Sequence, residues 1–227
     1  MSDSSLFRSI LLCLHYHQTL VLKHRGFLLY LLMEKHLMQY VHPTGFWYKD
    51  MAIYLHLDSV ELKDWLINFL KDHQDKMIYD LGCGTGYYLS ELHKEGHKRL
   101  LGIEAEPCKL HDEFPILAFN LTDSIELTEK GIVICLEVGE HIPEEYEHMI
   151  LDNLASLCDS WLILSWALPG QSGVGHFNCK SNEYIIKQIE SRGFEFMPDI
   201  SNDVRKYPVG ATSYFQKTLM IFKRYDS

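Results

Sequence analysis

Met77-Ile78-Tyr79-Asp80-Leu81-Gly82-Cys83-Gly84-Thr85-Gly86 opens as a short apolar run and closes in three glycines at alternate positions. A run of that length and character fits a strand buried on both faces. Tyr87, Tyr88 and Leu89 then resume in what reads as a helix. A strand passing through a tight glycine turn into a helix presents bare backbone N–H groups and a helix N-terminus to a ligand. The spacing narrows the choice of ligand. A dinucleotide fingerprint, G-x-G-x-x-G, needs glycine where Tyr87 stands, and a P-loop needs a terminal Gly-Lys-Ser/Thr that is absent.

Downstream, Arg99-Leu100-Leu101-Gly102-Ile103 reads as a second strand that ends in Glu104. Gly82 and Glu104 are 22 positions apart, close to the roughly 20 expected of an acid that accepts both ribose hydroxyls in a βαβ nucleotide fold. A carboxylate suits that task because it takes two hydrogen bonds from a diol. The competing reading is a solvated loop glutamate. Pro115-Ile116-Leu117-Ala118-Phe119 reads as a third strand, ending in Asn120-Leu121.

The segment Asp80-Leu-Gly-Cys-Gly-Thr-Gly86 closely resembles motif I of the class I S-adenosylmethionine-dependent methyltransferases. The resemblance runs over about residues 59–224. It implies a Rossmann-like α/β fold, with a seven-stranded, mostly parallel sheet flanked by helices. It also implies the cofactor S-adenosyl-L-methionine. Asp80, Gly82, Cys83, Gly84, Gly86 and Tyr87 would surround its methionine part, Glu104 its ribose, and Asn120 and Leu121 its adenine. Many relatives carry Asp where Asn120 stands, so the adenine contact is open between Asn120, Asp123 and a backbone group.

A second constellation follows a fourth buried strand, Gly131-Ile132-Val133-Ile134-Cys135-Leu136, and reads Glu137-Val138-Gly139-Glu140-His141-Ile142-Pro143. Pro143, Glu144 and Glu145 fit the first turn of the next helix. Two carboxylates and an imidazole as E-x-x-E-H gather oxygen and nitrogen donors suited to Mg²⁺ or Mn²⁺. The pattern resembles the metal-binding segment of ubiquinone-pathway O-methyltransferases and of enzymes that methylate the 3′-terminal 2′-hydroxyl of small RNAs. That resemblance makes Glu137, Glu140 and His141 metal ligands and His176 a fourth, while Glu137 also borders the cofactor. Without a metal, His141 or His176 is the candidate general base and Glu140 a catalytic neighbour. His176 lies in a glycine-rich loop after a fifth strand, Trp161 to Trp166, where Gln171 and Asn178 are further substrate-contact candidates.

Composition bounds the partners. A formal net charge of -10 repels phosphate backbones and disfavours a nucleic-acid substrate without a local basic patch. Six cysteines, at 13, 83, 108, 135, 158 and 179, form no C-x-x-C pair and suit reduced thiols in a cytoplasmic protein. No uncharged run reaches the roughly 20 apolar residues of a membrane span. Oligomeric state is not legible.

Residues 1–58 read as a helical N-terminal extension, two helices broken near Gly26, and residues 59–227 as the methyltransferase domain. His42-Pro43-Thr44-Gly45 is a turn, and Phe46-Trp47-Tyr48 is an aromatic cluster that is either core or a lid over the cofactor. Asp58 or Ser59 caps a helix from about Val60 to Lys71. A last helix spans Asn182 to Arg192, and residues 198–215 read as a polar insertion and candidate substrate lid. The expected function is methyl transfer to an oxygen or nitrogen of a small-molecule acceptor. The competing readings are a metal-assisted RNA 2′-O-methyltransferase and a catalytically idle binding subunit.

Overall fold

The computed structural model describes residues 37–48, 55–108 and 110–225, with Lys35, Met51 and Ile53. The two helices expected over residues 5–40 lie almost wholly outside the described residues. Seven strands form one sheet: β1 (Ile78–Leu81), β2 (Leu100–Glu104), β3 (Ile116–Ala118), β4 (Gly131–Cys135), β5 (Cys158–Leu164), β6 (Phe194–Phe196) and β7 (Met220–Arg224). Their order is β3-β2-β1-β4-β5-β7-β6. Neighbours from β3 through to β5 pair in parallel, while β7 runs antiparallel to both β5 and β6. The expected fold class is therefore the observed one.

Alternation along the strands feeds two cores. Ile132, Ile134, Ile163 and Ile221 join one cluster with Leu62, Leu66 and Leu89, from helices α1 (Val60–Leu70) and α2 (Tyr87–Lys94). Val133, Cys135, Leu162, Leu164 and Phe222 join the other with Ile150, Leu154 and Ile185, from α3 (Glu147–Leu157) and α4 (Asn182–Glu190). Burial on both faces is why β4 and β5 read as unbroken apolar runs rather than as alternating ones. Ser59, rather than Asp58, is the cap of α1, accepting from the Leu62 N–H at 3.3 Å.

Three boundaries differ from expectation. β5 begins at Cys158, which pairs with Gly131, and Asp159 and Ser160 lie in an irregularity of register before pairing resumes. The helix after Pro143 begins as a 3₁₀ turn over Glu144–Tyr146 before α3. Residues 198–215 are not a free insertion. They fold as α5 (Pro198–Val204), a 3₁₀ turn (Gly210–Thr212) and the start of α6 (Phe215–Thr218), and Val204 and Phe215 are buried in the core beside α1. Apolar anchors spaced through a polar stretch hold this segment down, and none of its residues lines the cleft described below.

Order reverses between β1 and β4, which are neighbours in the sheet. Ligands of open α/β sheets bind outside the strand ends at such a switch point. The loop after β3, which borders that point, is fixed by Asn153 of α3. The Asn153 amide donates to the carbonyls of Leu121 (3.1 Å) and Asp123 (2.8 Å) and accepts from the Ile125 N–H (3.0 Å). Asn153→Ala strands two buried backbone groups and one part-buried carbonyl and is expected to lower the unfolding free energy by about 2–4 kcal/mol, read from urea midpoints. A loss below about 1 kcal/mol would mean that water takes over these bonds.

Candidate active site

At the C-terminal ends of β1, β2 and β4 lies a cleft of about 690 Å³, part of it open to solvent. One wall is the glycine turn. Gly82, Gly84 and Gly86 all have positive φ, of 73°, 53° and 80°, a region that L side chains rarely adopt. A Cβ on Gly84 would also come within 2.5 Å of the His56 ring, so the glycine makes room for that imidazole. The Gly84 N–H donates to Glu104 Oε2 at 2.9 Å, and the Ala105 N–H donates to Oε1 at 3.0 Å. Burial pushes the Glu104 pKa up, and these two N–H groups oppose the shift. Gly82, Gly84 and Glu104 line the cleft, while Asp80 is buried beneath, its pKa raised by burial to about 7.

Cys83, Gly86 and Tyr87 are adjacent to this wall but are not part of it. The Cys83 thiol turns towards β2, where a Cβ on Gly102 would meet it at 2.8 Å. Further along, Phe119, Asn120 and Leu121 line the cleft, whereas Asp123 is exposed and does not. The Asn120 side chain is already engaged: its amide donates to Thr44 Oγ1 (2.9 Å) and its carbonyl accepts from the Thr122 N–H (3.1 Å).

The opposite wall comes from two sources. Thr44, Gly45, Phe46 and Trp47 form a hairpin-like turn closed by a bridge between Val41 and Trp47. It sits hard on the loop after β4, since a Cβ on Gly45 would meet the His141 carbonyl at 1.9 Å. Trp47 meets the His141 ring edge to face at 4.9 Å between centroids. Of the expected aromatic cluster, Phe46 and Trp47 face the cleft and Tyr48 is exposed.

The other source is Leu136 to Ile142. Glu137 adopts φ 54°, uncommon for a residue with a Cβ, and such outliers cluster at functional sites. Its N–H donates to Ser165 Oγ (2.8 Å), and its Oε2 accepts from Gln171 Nε2 (2.6 Å), leaving Oε1 buried with no partner. Glu140 is fully buried, and neither of its oxygens has a partner. Burial and the neighbouring Glu137 charge hold its pKa well above the carboxylate range.

His176 reaches this pair because its loop is tied down. The Glu140 carbonyl accepts from the N–H groups of Phe177 (2.8 Å) and Asn178 (2.9 Å). Trp166 Nε1 donates to the Asn178 carbonyl (2.6 Å), and Asn178 Nδ2 donates to Glu147 (3.0 Å). Asn178 is thus a buried structural anchor and not the substrate contact expected of it. His176 Nδ1 lies 3.1 Å from the Gln171 carbonyl, which can only accept, so Nδ1 carries the proton. The bare Nε2 then faces Glu140 Oε1 at 4.0 Å.

Donor atoms of Glu140, His141 and His176 all lie within 4.8 Å of one another. Glu137, the fourth expected ligand, is adjacent but outside that group. Two electron-pair donors facing each other across a buried gap need a proton or a cation between them. The orphaned oxygens of Glu137 and Glu140 and the unpartnered His141 Nδ1 therefore fit an oxygen- and nitrogen-binding divalent ion. Burial, then His176, depresses the His141 pKa to about 3, and burial lowers that of His176. Both shifts favour the neutral imidazole that ligation requires.

No family model matches the chain. The tRNA U34 carboxymethyltransferase of Shewanella oneidensis is 33% identical over 57 residues, which is 23% of this chain and 17% of that protein. The chain thus spans about a sixth of that relative's length. Magnesium protoporphyrin IX methyltransferase from Synechocystis, solved with S-adenosylmethionine bound, superposes with TM-score 0.54 at 20% identity, covering 84% of this chain and 96% of that one. The sugar N-methyltransferase KedS8 of a Streptoalloteichus species gives TM-score 0.57 at 13% identity, covering 74% and 89%. This is the class I methyltransferase fold.

Within that fold, sequence reasoning missed His56, Val138 and Ile142 on the cleft walls, and left the lid role of Phe46 and Trp47 open. His56 belongs to no motif. Only its place just ahead of α1 and of the glycine turn marks it. No helix among the described residues is long and apolar enough to cross a membrane.

The raised pKa of Asp80 has a measurable consequence. Its carboxyl titrates near 3.8 when unfolded and near 7 in the fold. The stability it contributes is full below pH 3.8 and is lost as pH rises through about 7. Without ligand, Asp80→Asn is expected to be more stable than wild type at pH 8 by up to about 4 kcal/mol, and much less so at pH 5. Urea titrations at the two pH values check this, and an equal difference at both would refute it.

Proposed function

We propose that the protein transfers a methyl group from S-adenosyl-L-methionine to an oxygen or nitrogen of a small-molecule acceptor, with Mg²⁺ or Mn²⁺ at Glu140, His141 and His176. The carrying observation is one cleft that has Gly82, Gly84 and Glu104 on one wall and Glu137 and His141 on the other. In this reading Asp80 faces the cofactor's amine and Glu104 its ribose. Phe119, Asn120 and Leu121 take the adenine, and Phe46 and Trp47 cover the acceptor. The acceptor's lone pair forms the new bond to the methyl carbon while the bond from sulfur breaks, leaving S-adenosylhomocysteine. The acceptor's proton departs to a base or to water.

A base near the operating pH works best, so an imidazole held near pKa 3 is a poor proton acceptor. That favours His141 as a ligand. A divalent cation so held would lower the pKa of an acceptor hydroxyl and orient its oxygens. A small acceptor is supported by the acidic chain and by a cleft wall that has no lysine or arginine among the described residues. An RNA hydroxyl is the second reading, supported by the Glu-x-x-Glu-His resemblance and by the partial likeness to a tRNA-modifying protein.

Calorimetry with S-adenosylhomocysteine after chelator treatment tests this. Binding is expected without metal, and Glu104→Ala should weaken it at least about tenfold, the loss of a charged hydrogen-bond acceptor. Glu140→Ala should abolish Mn²⁺ uptake while leaving that binding intact. Failure of the wild-type chain to bind S-adenosylhomocysteine would overturn the proposal. Unchanged Mn²⁺ uptake in Glu140→Ala would remove the ion from it.

A further inference from the structure

The inference here rests on the cofactor reading and concerns the one anionic group that S-adenosylmethionine carries, its α-carboxylate. The cleft is poorly suited to an anion. Glu104 and Glu137 are on its walls, Asp80 lies beneath, and no lysine or arginine lines it among the described residues. The lining imidazoles are His56 and His141, and His141 belongs to the carboxylate–imidazole cluster at the acceptor end.

His56 is placed differently. Its ring lies on the glycine turn, where Nδ1 is the nearest atom, at 2.5 Å, to a Cβ built on Gly84. Its other nitrogen, Nε2, is 3.1 Å from Asp58 Oδ1. That is an ion-pair distance without hydrogen-bond geometry, and it favours a protonated ring beside Asp58. Nδ1 is left turned towards the turn that receives the ligand, with no protein hydrogen bond of its own.

We propose that His56, protonated and oriented by Asp58, is the binding site for the α-carboxylate of the cofactor. Its charge makes an otherwise acidic cleft end accept a zwitterion: Asp80 takes the ammonium and His56 the carboxylate. Burial alone would pull the His56 pKa down, but the close contact and charge of Asp58, together with Asp80 and Glu104, outweigh it and set the pKa above 6.5. These three carboxylates, from the segment ahead of α1, from β1 and from the end of β2, are the charged groups that face the ring.

The test is calorimetry from pH 6 to 8.5 with two ligands, S-adenosylhomocysteine and its decarboxylated analogue, S-adenosyl-3-thiopropylamine, which keeps the amine. His56→Gln is expected to weaken S-adenosylhomocysteine about tenfold or more at pH 6, as loss of a charge-assisted hydrogen bond would, and to leave the analogue unchanged. The ratio of variant to wild-type Kd should fall towards one as pH rises through the His56 titration. Asp80 titrates in the same window with the opposite sign and is itself held down by His56, so its effect is read in each protein from the analogue, which keeps the amine and lacks the carboxylate. In Asp58→Asn the preference for S-adenosylhomocysteine over the analogue should be lost at lower pH than in wild type, and this comparison decides the matter if His56→Gln does not fold. Equal S-adenosylhomocysteine affinity for wild type and His56→Gln at pH 6 would overturn the proposal. So would equal loss of both ligands, or a pH dependence that Asp58→Asn does not shift. Wild-type protein that binds neither ligand would instead overturn the cofactor reading itself.

Discussion

Glu140 is fully buried beside Glu137, and neither of its oxygens has a hydrogen-bond partner. An uncompensated ionised carboxylate in such a place costs several kcal/mol, so the group is either protonated or matched by a cation. The surrounding chain is arranged to hold it there. Its carbonyl takes two N–H groups from the loop after β5, and Trp166, Asn178 and Glu147 close a bonded path behind that loop. Tyr184 adds its hydroxyl to Glu147 at 2.5 Å. The network behind the loop is thus satisfied, while the carboxylate it holds is left to its neighbour Glu137 and to whatever proton or cation it takes up.

The other end of the cleft solves a different electrostatic problem. Asp80, Glu104 and Asp58 crowd the glycine turn, and the last two add to burial in disfavouring Asp80 as an anion. His56 and the N–H groups of Gly84 and Ala105 are what balance them. Two acidic ends thus face a single cleft, and both suit ligand groups that carry positive charge.

What was legible in the chain follows the physics of each element. Strands β1, β4 and β5 could be read because helices cover both faces of the sheet, leaving continuous apolar runs. The glycine turn and Glu104 could be read because backbone conformation and βαβ length constrain residue type and spacing directly. The grouping of Glu140, His141 and His176 followed from a short segment plus one distant loop. What stayed hidden depends on contacts distant in the chain. Residues 198–215 look polar because only Val204 and Phe215 carry their attachment to the core. Asn178 looked like a substrate contact because a polar residue in a glycine-rich loop gives no sign that it will be buried against Glu147. His56 was invisible because its role arises only when the segment ahead of α1 folds over Gly84.

The turn at residues 41–48 joins these two ends. Thr44 accepts from Asn120 at one end, while Gly45 packs on the His141 carbonyl and Trp47 on the His141 ring at the other. One short segment, closed by its own bridge between Val41 and Trp47, therefore covers both Asn120 and the carboxylate–imidazole cluster. The Asn120 end and the His141 end of the cleft thus share one roof.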